Sequence, residues 1–136
     1  MSLFTTLFFI LLAQGGTQNT HRLTVKVQNA PAAKGTVRVT LYSREADFLK
    51  KPTQVREIKP VGNQAVVEFE GLPTGDYAAA AYQDANGNGK LDRNFIGIPK
   101  EPNGMSNGAK GKYGPPKWRD AVFTLSADVE KEIVLE

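Results

Sequence analysis

A two-residue alternation, repeated along the chain, limits most what this sequence can fold into. Leu23, Val25 and Val27 are separated by Thr24, Lys26 and Gln28, and Val37, Val39 and Leu41 by Arg38 and Thr40. The pattern returns at Ala65, Val67 and Phe69, at Ala121, Phe123 and Leu125, and at Val129, Lys131, Ile133 and Leu135. Successive side chains of a strand point to opposite faces, so each segment predicts a half-buried strand. Val55 and Ile58 predict a shorter, irregular one. Turn signals at Asn29 to Gly35, Pro60 to Asn63 and Ser126 to Asp128 separate these segments. About seven short strands spaced in this way predict an all-β fold, an antiparallel sandwich. The short connection between the first two strands predicts that they pair as an antiparallel hairpin. Ala46, Phe48 and Leu49 predict the apolar side of a helical turn that Pro52 ends.

The segment Tyr77 to Asp84 contains four consecutive alanines, which have good helix propensity. It lies, however, between the turn Gly71-Leu-Pro-Thr-Gly75 and an Asn-Gly loop. That length suits a strand, and small side chains on both faces suit a central strand packed closely on its neighbours. The expectation is a strand with Tyr77, Ala79 and Ala81 on one face and Ala78, Ala80 and Tyr82 on the other.

The first nineteen residues differ in kind. They carry no charged side chain, and Leu3 to Ala13 is an apolar run too short to span a bilayer comfortably. Gly15, Gly16 and Thr17 supply small residues for cleavage. Residues 1–19 are therefore expected to be a secretory signal, and residues 20–136 the sandwich domain. The expected location is periplasmic or extracellular, with no integral membrane span after cleavage. The sequence has no cysteine, which excludes disulfides and thiolate chemistry.

One long insertion, residues 84–117, interrupts the strands. It holds seven of the thirteen glycines and four of the eight prolines. A connection of this length inside a small domain is usually functional or disordered. Within residues 84–120 there are seven basic and four acidic side chains, so the whole net charge of +3 resides there. The excess is too small and too interrupted by acids to predict nucleic-acid binding.

The insertion begins Asp84-Ala-Asn86-Gly-Asn88-Gly-Lys90-Leu-Asp92. Oxygen-bearing side chains fall at the first, third, fifth and ninth positions, with glycine at the sixth. Alternate side chains of a tightly turning chain converge on one centre, which is the spacing of a calcium loop. The expected ion site is Asp84, Asn86, Asn88, Lys90 through its carbonyl, and Asp92. Phe95 stands where an EF-hand needs a bidentate glutamate, and two carboxylates are a weak charge set. Calcium, the expected cofactor, would bind with a dissociation constant of about 10⁻⁴ to 10⁻³ M. The same residues also suit plain turn chemistry, because Asn and Asp bond readily to their own backbone. Glu101 or Asp120 would be needed to complete a shell, and spacing places neither. Farther on, Tyr113, Trp118 and Arg119 form an aromatic and cationic set suited to stacking on a ligand or to capping the sandwich.

Four motifs in order carry a family resemblance: G-L-P-x-G-x-Y-A-x-x-x-x-x-D at 71–84, D-x-N-x-N-G-K-L-D at 84–92, G-I-P-K-E-P at 97–102 and G-P-P-K-W-x-D-A at 114–121. The chain resembles the bacterial domain-of-unknown-function family 2141, which implies a small exported β-sandwich with no assigned activity. The turn from Gly71 to Tyr77 is also similar to that of transthyretin-like and carboxypeptidase-regulatory domains, which implies an immunoglobulin- or transthyretin-like accessory or binding module. No nucleophile elbow is visible, and His21 is the only histidine. The expectation is a non-catalytic binding or accessory module, its ligand or protein partner unknown. A purely structural protein is the alternative, and a carboxylate-pair hydrolase a more distant one.

Overall fold

The computed structural model describes residues 19–84, 101–111 and 114–136. The expected signal segment falls outside them except for Asn19. Among the described residues are eight strands: β1 (Thr20–Gln28), β2 (Thr36–Tyr42), β3 (Gln54–Ile58), β4 (Gln64–Pro73), β5 (Gly75–Asp84), β6 (Asn103–Met105), β7 (Phe123–Leu125) and β8 (Val129–Val134). They form an all-β sandwich. One sheet has the order β4-β1-β8; the other has β3-β2-β5-β6, with β7 also on β5.

The alternation does what the pattern demands. Leu23, Val25 and Val27 of β1 meet Val37, Val39 and Leu41 of β2 inside the sandwich, with Phe69, Leu125 and Ile133 beside them. The predicted hairpin of β1 and β2 does not form. The two strands lie in different sheets, β1 between β4 and β8, β2 between β3 and β5. Pro31 has no N–H to offer a ladder, and a 3-10 turn at Ala32–Lys34 carries the chain across the sandwich. The buried Gln83 amide fixes that crossing by donating to the carbonyls of Pro31 and Gly35, at 2.6 and 3.0 Å. The sandwich is also not wholly antiparallel, since β1 and β8 pair in parallel.

The chain changes sheets again between β4 and β5, where Thr74 alone separates the strands. Gly71 takes φ 69°, and the Tyr77 hydroxyl donates to the Pro73 carbonyl at 2.7 Å, tying the corner back on itself. The alanine segment is a strand as expected. Tyr77, Ala79 and Ala81 face the inter-sheet core, whereas Ala78 and Ala80 join a second cluster with Tyr42, Phe48, Met105 and Ala121. Leu49, Ala109 and Trp118 pack against that cluster. Met105, Ala109, Trp118 and Ala121 thus lie over the outer face of the larger sheet, and methyl side chains on β5 give them room.

Two short strands share one edge of β5. β7 pairs with Gly75, Asp76 and Tyr77, and β6 with Ala80, Ala81 and Tyr82. Ser106 fills the gap between them. Its buried hydroxyl accepts from Ala79 N–H at 3.0 Å and donates to the Ala121 carbonyl at 2.7 Å. The Ala121 carbonyl belongs to a single helical turn, Trp118–Ala121.

Leu135 and Glu136 close one side of the sandwich. Leu135 N–H donates to the Gln28 carbonyl, and Glu136 and Asn103 exchange backbone hydrogen bonds at 3.0 and 3.2 Å. Gly104 sits so close to this crossing that a Cβ there would lie 2.6 Å from the Val134 carbonyl oxygen. Among the described residues, no helix is long and apolar enough to cross a membrane.

Candidate functional site

The base of the insertion is built by the end of β5 and the chain returning to β6. Tyr82 is registered opposite Asn103, and Gln83 N–H donates to the Pro102 carbonyl at 3.0 Å. Continuing that register by one residue places Glu101 opposite Asp84. Both side chains are buried, at 4% and 7% exposure, and both are partnered. Carboxylates buried side by side need a cation, a proton or several hydrogen bonds to be stable there.

Their neighbourhood is the outer face of the larger sheet. Arg38 of β2 pairs in register with Tyr82 and Glu57, and its guanidinium is hydrogen-bonded to the Glu57 carboxylate. Burial raises the Tyr82 hydroxyl pKa; Arg38 lowers it, and the charges of Asp84, Glu101 and Glu57 raise it again. Three carboxylates and one guanidinium therefore act on a single half-buried tyrosine hydroxyl.

Of the expected ion ligands, Asp84 stands at this base, and Asn86, Asn88, Lys90 and Asp92 lie outside the described residues. The two residues named as completing a shell are separated clearly. Glu101 is buried at the base, and Asp120 is exposed on the helical turn. Spacing alone had no means of choosing between them, because the choice depends on which chain returns beside β5.

Of the expected ligand-binding set, Tyr113 lies outside the described residues and Arg119 is exposed. Trp118 is half-buried and meets Phe48 edge-on, with ring centroids 5.7 Å apart, while Phe48 meets Tyr42 in the same way at 5.4 Å. The sequence marks Phe48 only as part of a helical turn, and its partnership with Trp118 carries no sequence signal. The helical turn that bears Trp118 is tied to Ala79 through Ser106. Asp84 is five residues farther along β5, roughly 16 Å at strand rise. The acidic base and the aromatic cluster are thus two sites on one face.

No curated protein and no solved structure matches the chain, so the expected likeness to transthyretin-type sandwiches has no support beyond the sandwich architecture itself. One family model does match, over residues 25–133, which covers nearly every strand. On that match the chain belongs to the family described as "Uncharacterized protein conserved in bacteria (DUF2141)".

Proposed function

We propose that the protein is an exported, non-catalytic binding or accessory module whose insertion closes on a weak calcium site. Asp84 anchors the site at the end of β5, Glu101 enters from the returning chain, and Asn86, Asn88, Lys90 and Asp92 supply the remaining oxygens. The single observation carrying this reading is the burial of both Asp84 and Glu101 on either side of the Gln83–Pro102 backbone hydrogen bond. A calcium ion would compensate both charges there, and Glu101 would take the part that Phe95 cannot take. Calcium would then staple the end of β5 to the chain returning at Glu101.

The test is thermal unfolding of residues 20–136, which carry every described element, with millimolar calcium and with a chelator. At about ten times the dissociation constant, linkage adds roughly 1.4 kcal/mol, a rise of about 4–8 °C for a domain of this size. Asp84→Asn should abolish that gain. An equal gain in the variant would refute the assignment.

One observation favours the alternative, a structural protein whose insertion merely caps the sandwich. Trp118 rests on Phe48 and packs against the second apolar cluster. This reading predicts no calcium effect and no ligand response at Trp118.

A further inference from the structure

The contact of Phe48 with Trp118 brings together two chain segments that are far apart in sequence. Lys50 and Lys51 follow Phe48, and Lys117 and Arg119 flank Trp118; all four are exposed. Among the described residues none of the four makes an ion pair. Asp47 is paired with Arg44, which leaves Glu45 and Asp120 as the acids beside this tip, while Asp84, Glu101 and Glu57 lie at the far end of the same face. The tip that presents the two lysines is held in an unusual shape. Leu49 has φ 60°, a left-handed conformation that a bulky residue rarely adopts. Around it, the N–H groups of Lys50 and Lys51 both donate to the Asp47 carbonyl, at 2.9 and 2.8 Å.

The opposite side of the sandwich has the reverse sign. The outer face of the β4-β1-β8 sheet carries Glu68, Glu70, Glu130 and Glu132 against Arg22 and Lys26. An anionic plane would attract this cationic tip and repel the acidic outer face of the β4-β1-β8 sheet, which favours the tip as the contact. Tryptophan prefers the membrane–water interface, and lysines near an anionic leaflet are drawn to it. We propose that the tip formed by Leu49, Lys50, Lys51, Lys117, Trp118 and Arg119 docks on an anionic phospholipid bilayer. This inference rests on the binding-module reading and names the surface bound.

Trp118 is the only tryptophan, so its fluorescence reports on its own surroundings. The mature protein is titrated with phosphatidylcholine vesicles, with vesicles containing phosphatidylglycerol, and with dextran sulfate. The expected result is a blue shift and co-sedimentation with the anionic vesicles only, both reversed by high salt. Lys50→Gln together with Lys51→Gln should weaken partitioning roughly thirtyfold without changing the melting temperature. An equal response to neutral vesicles, or none to either, overturns the inference. A response to dextran sulfate alone also overturns it, while leaving the binding module standing; the calcium titration decides that module separately.

Discussion

Replacing Ser106 by alanine isolates the one hydroxyl that joins β5 to both short strands on its edge. Ser106 is fully buried, accepts from the Ala79 N–H and donates to the Ala121 carbonyl. The substitution removes both partners and adds no bulk. A stranded buried N–H costs about 1–3 kcal/mol, and the lost carbonyl bond roughly 1 kcal/mol more. For a domain of this size each kcal/mol moves the midpoint by about 3–6 °C, so the expected fall is on the order of 10 °C. Thermal unfolding followed by circular dichroism measures it. Hydrogen exchange supplies a local readout, because the Ala79 amide should lose its protection while amides of β1 keep theirs. Ser126→Ala, at an exposed turn position, is the control and should stay within about 0.5 kcal/mol. A Ser106→Ala midpoint within 1 °C of the parent (by the roughly 3–6 °C per kcal/mol above) would refute the reasoning, since the gap would then be bridged by something other than this side chain.

Two further outcomes follow from packing and titration. Gly104→Ala should destabilise the domain by about 1–3 kcal/mol, because its Cβ would meet the Val134 carbonyl oxygen at 2.6 Å and the Ile133 Cγ2 at 2.8 Å; a denaturant melt with an unchanged midpoint would contradict this. Burial raises the Tyr42 pKa above its usual 10.0, and this outweighs the lowering by the Thr40 hydrogen bond and by Arg38. The unfolded chain therefore loses that proton first, the stabilisation is complete below pH about 10, and stability falls as pH rises through the folded-state value. Urea melts between pH 8 and 11 (a window set about the tyrosine pKa of ~10) should show that fall, and Tyr42→Phe should make it shallower.

The strands were legible because each carries a local signal. Alternation marks β1, β2, β4 and β8, and the Gly-Pro corner before Tyr77 turns the alanine run from helix to strand. Which strands pair was not legible. Val25 and Val39 have the same pattern, yet they belong to different sheets, because pairing depends on the Gln83 amide holding the crossing at Pro31 and Gly35. Strand β6 was missed for a related reason. Asn103, Gly104 and Met105 have no β propensity to speak of, and are extended only because β5 and Glu136 offer bonds on both sides. At the candidate site, Asp84 was visible through its spacing to asparagines. Glu101 became a specific partner only once the returning chain was seen beside Gln83. The Phe48–Trp118 contact joins residues seventy positions apart, and no local pattern encodes it.

The parallel pairing of β1 with β8 has a consequence for biogenesis. β1 is the earliest described strand and β8 the latest, separated by roughly a hundred residues. At synthesis rates of about 5–20 residues per second, β1 would wait on the order of 5–20 s for its second neighbour. β4 can cover one edge in the meantime; the other stays open, with a row of amides and carbonyls ready to pair with another chain. Such long-range closure is also intrinsically slow. A nascent chain of this design gains little from folding early. It is best kept extended until its last strand is available.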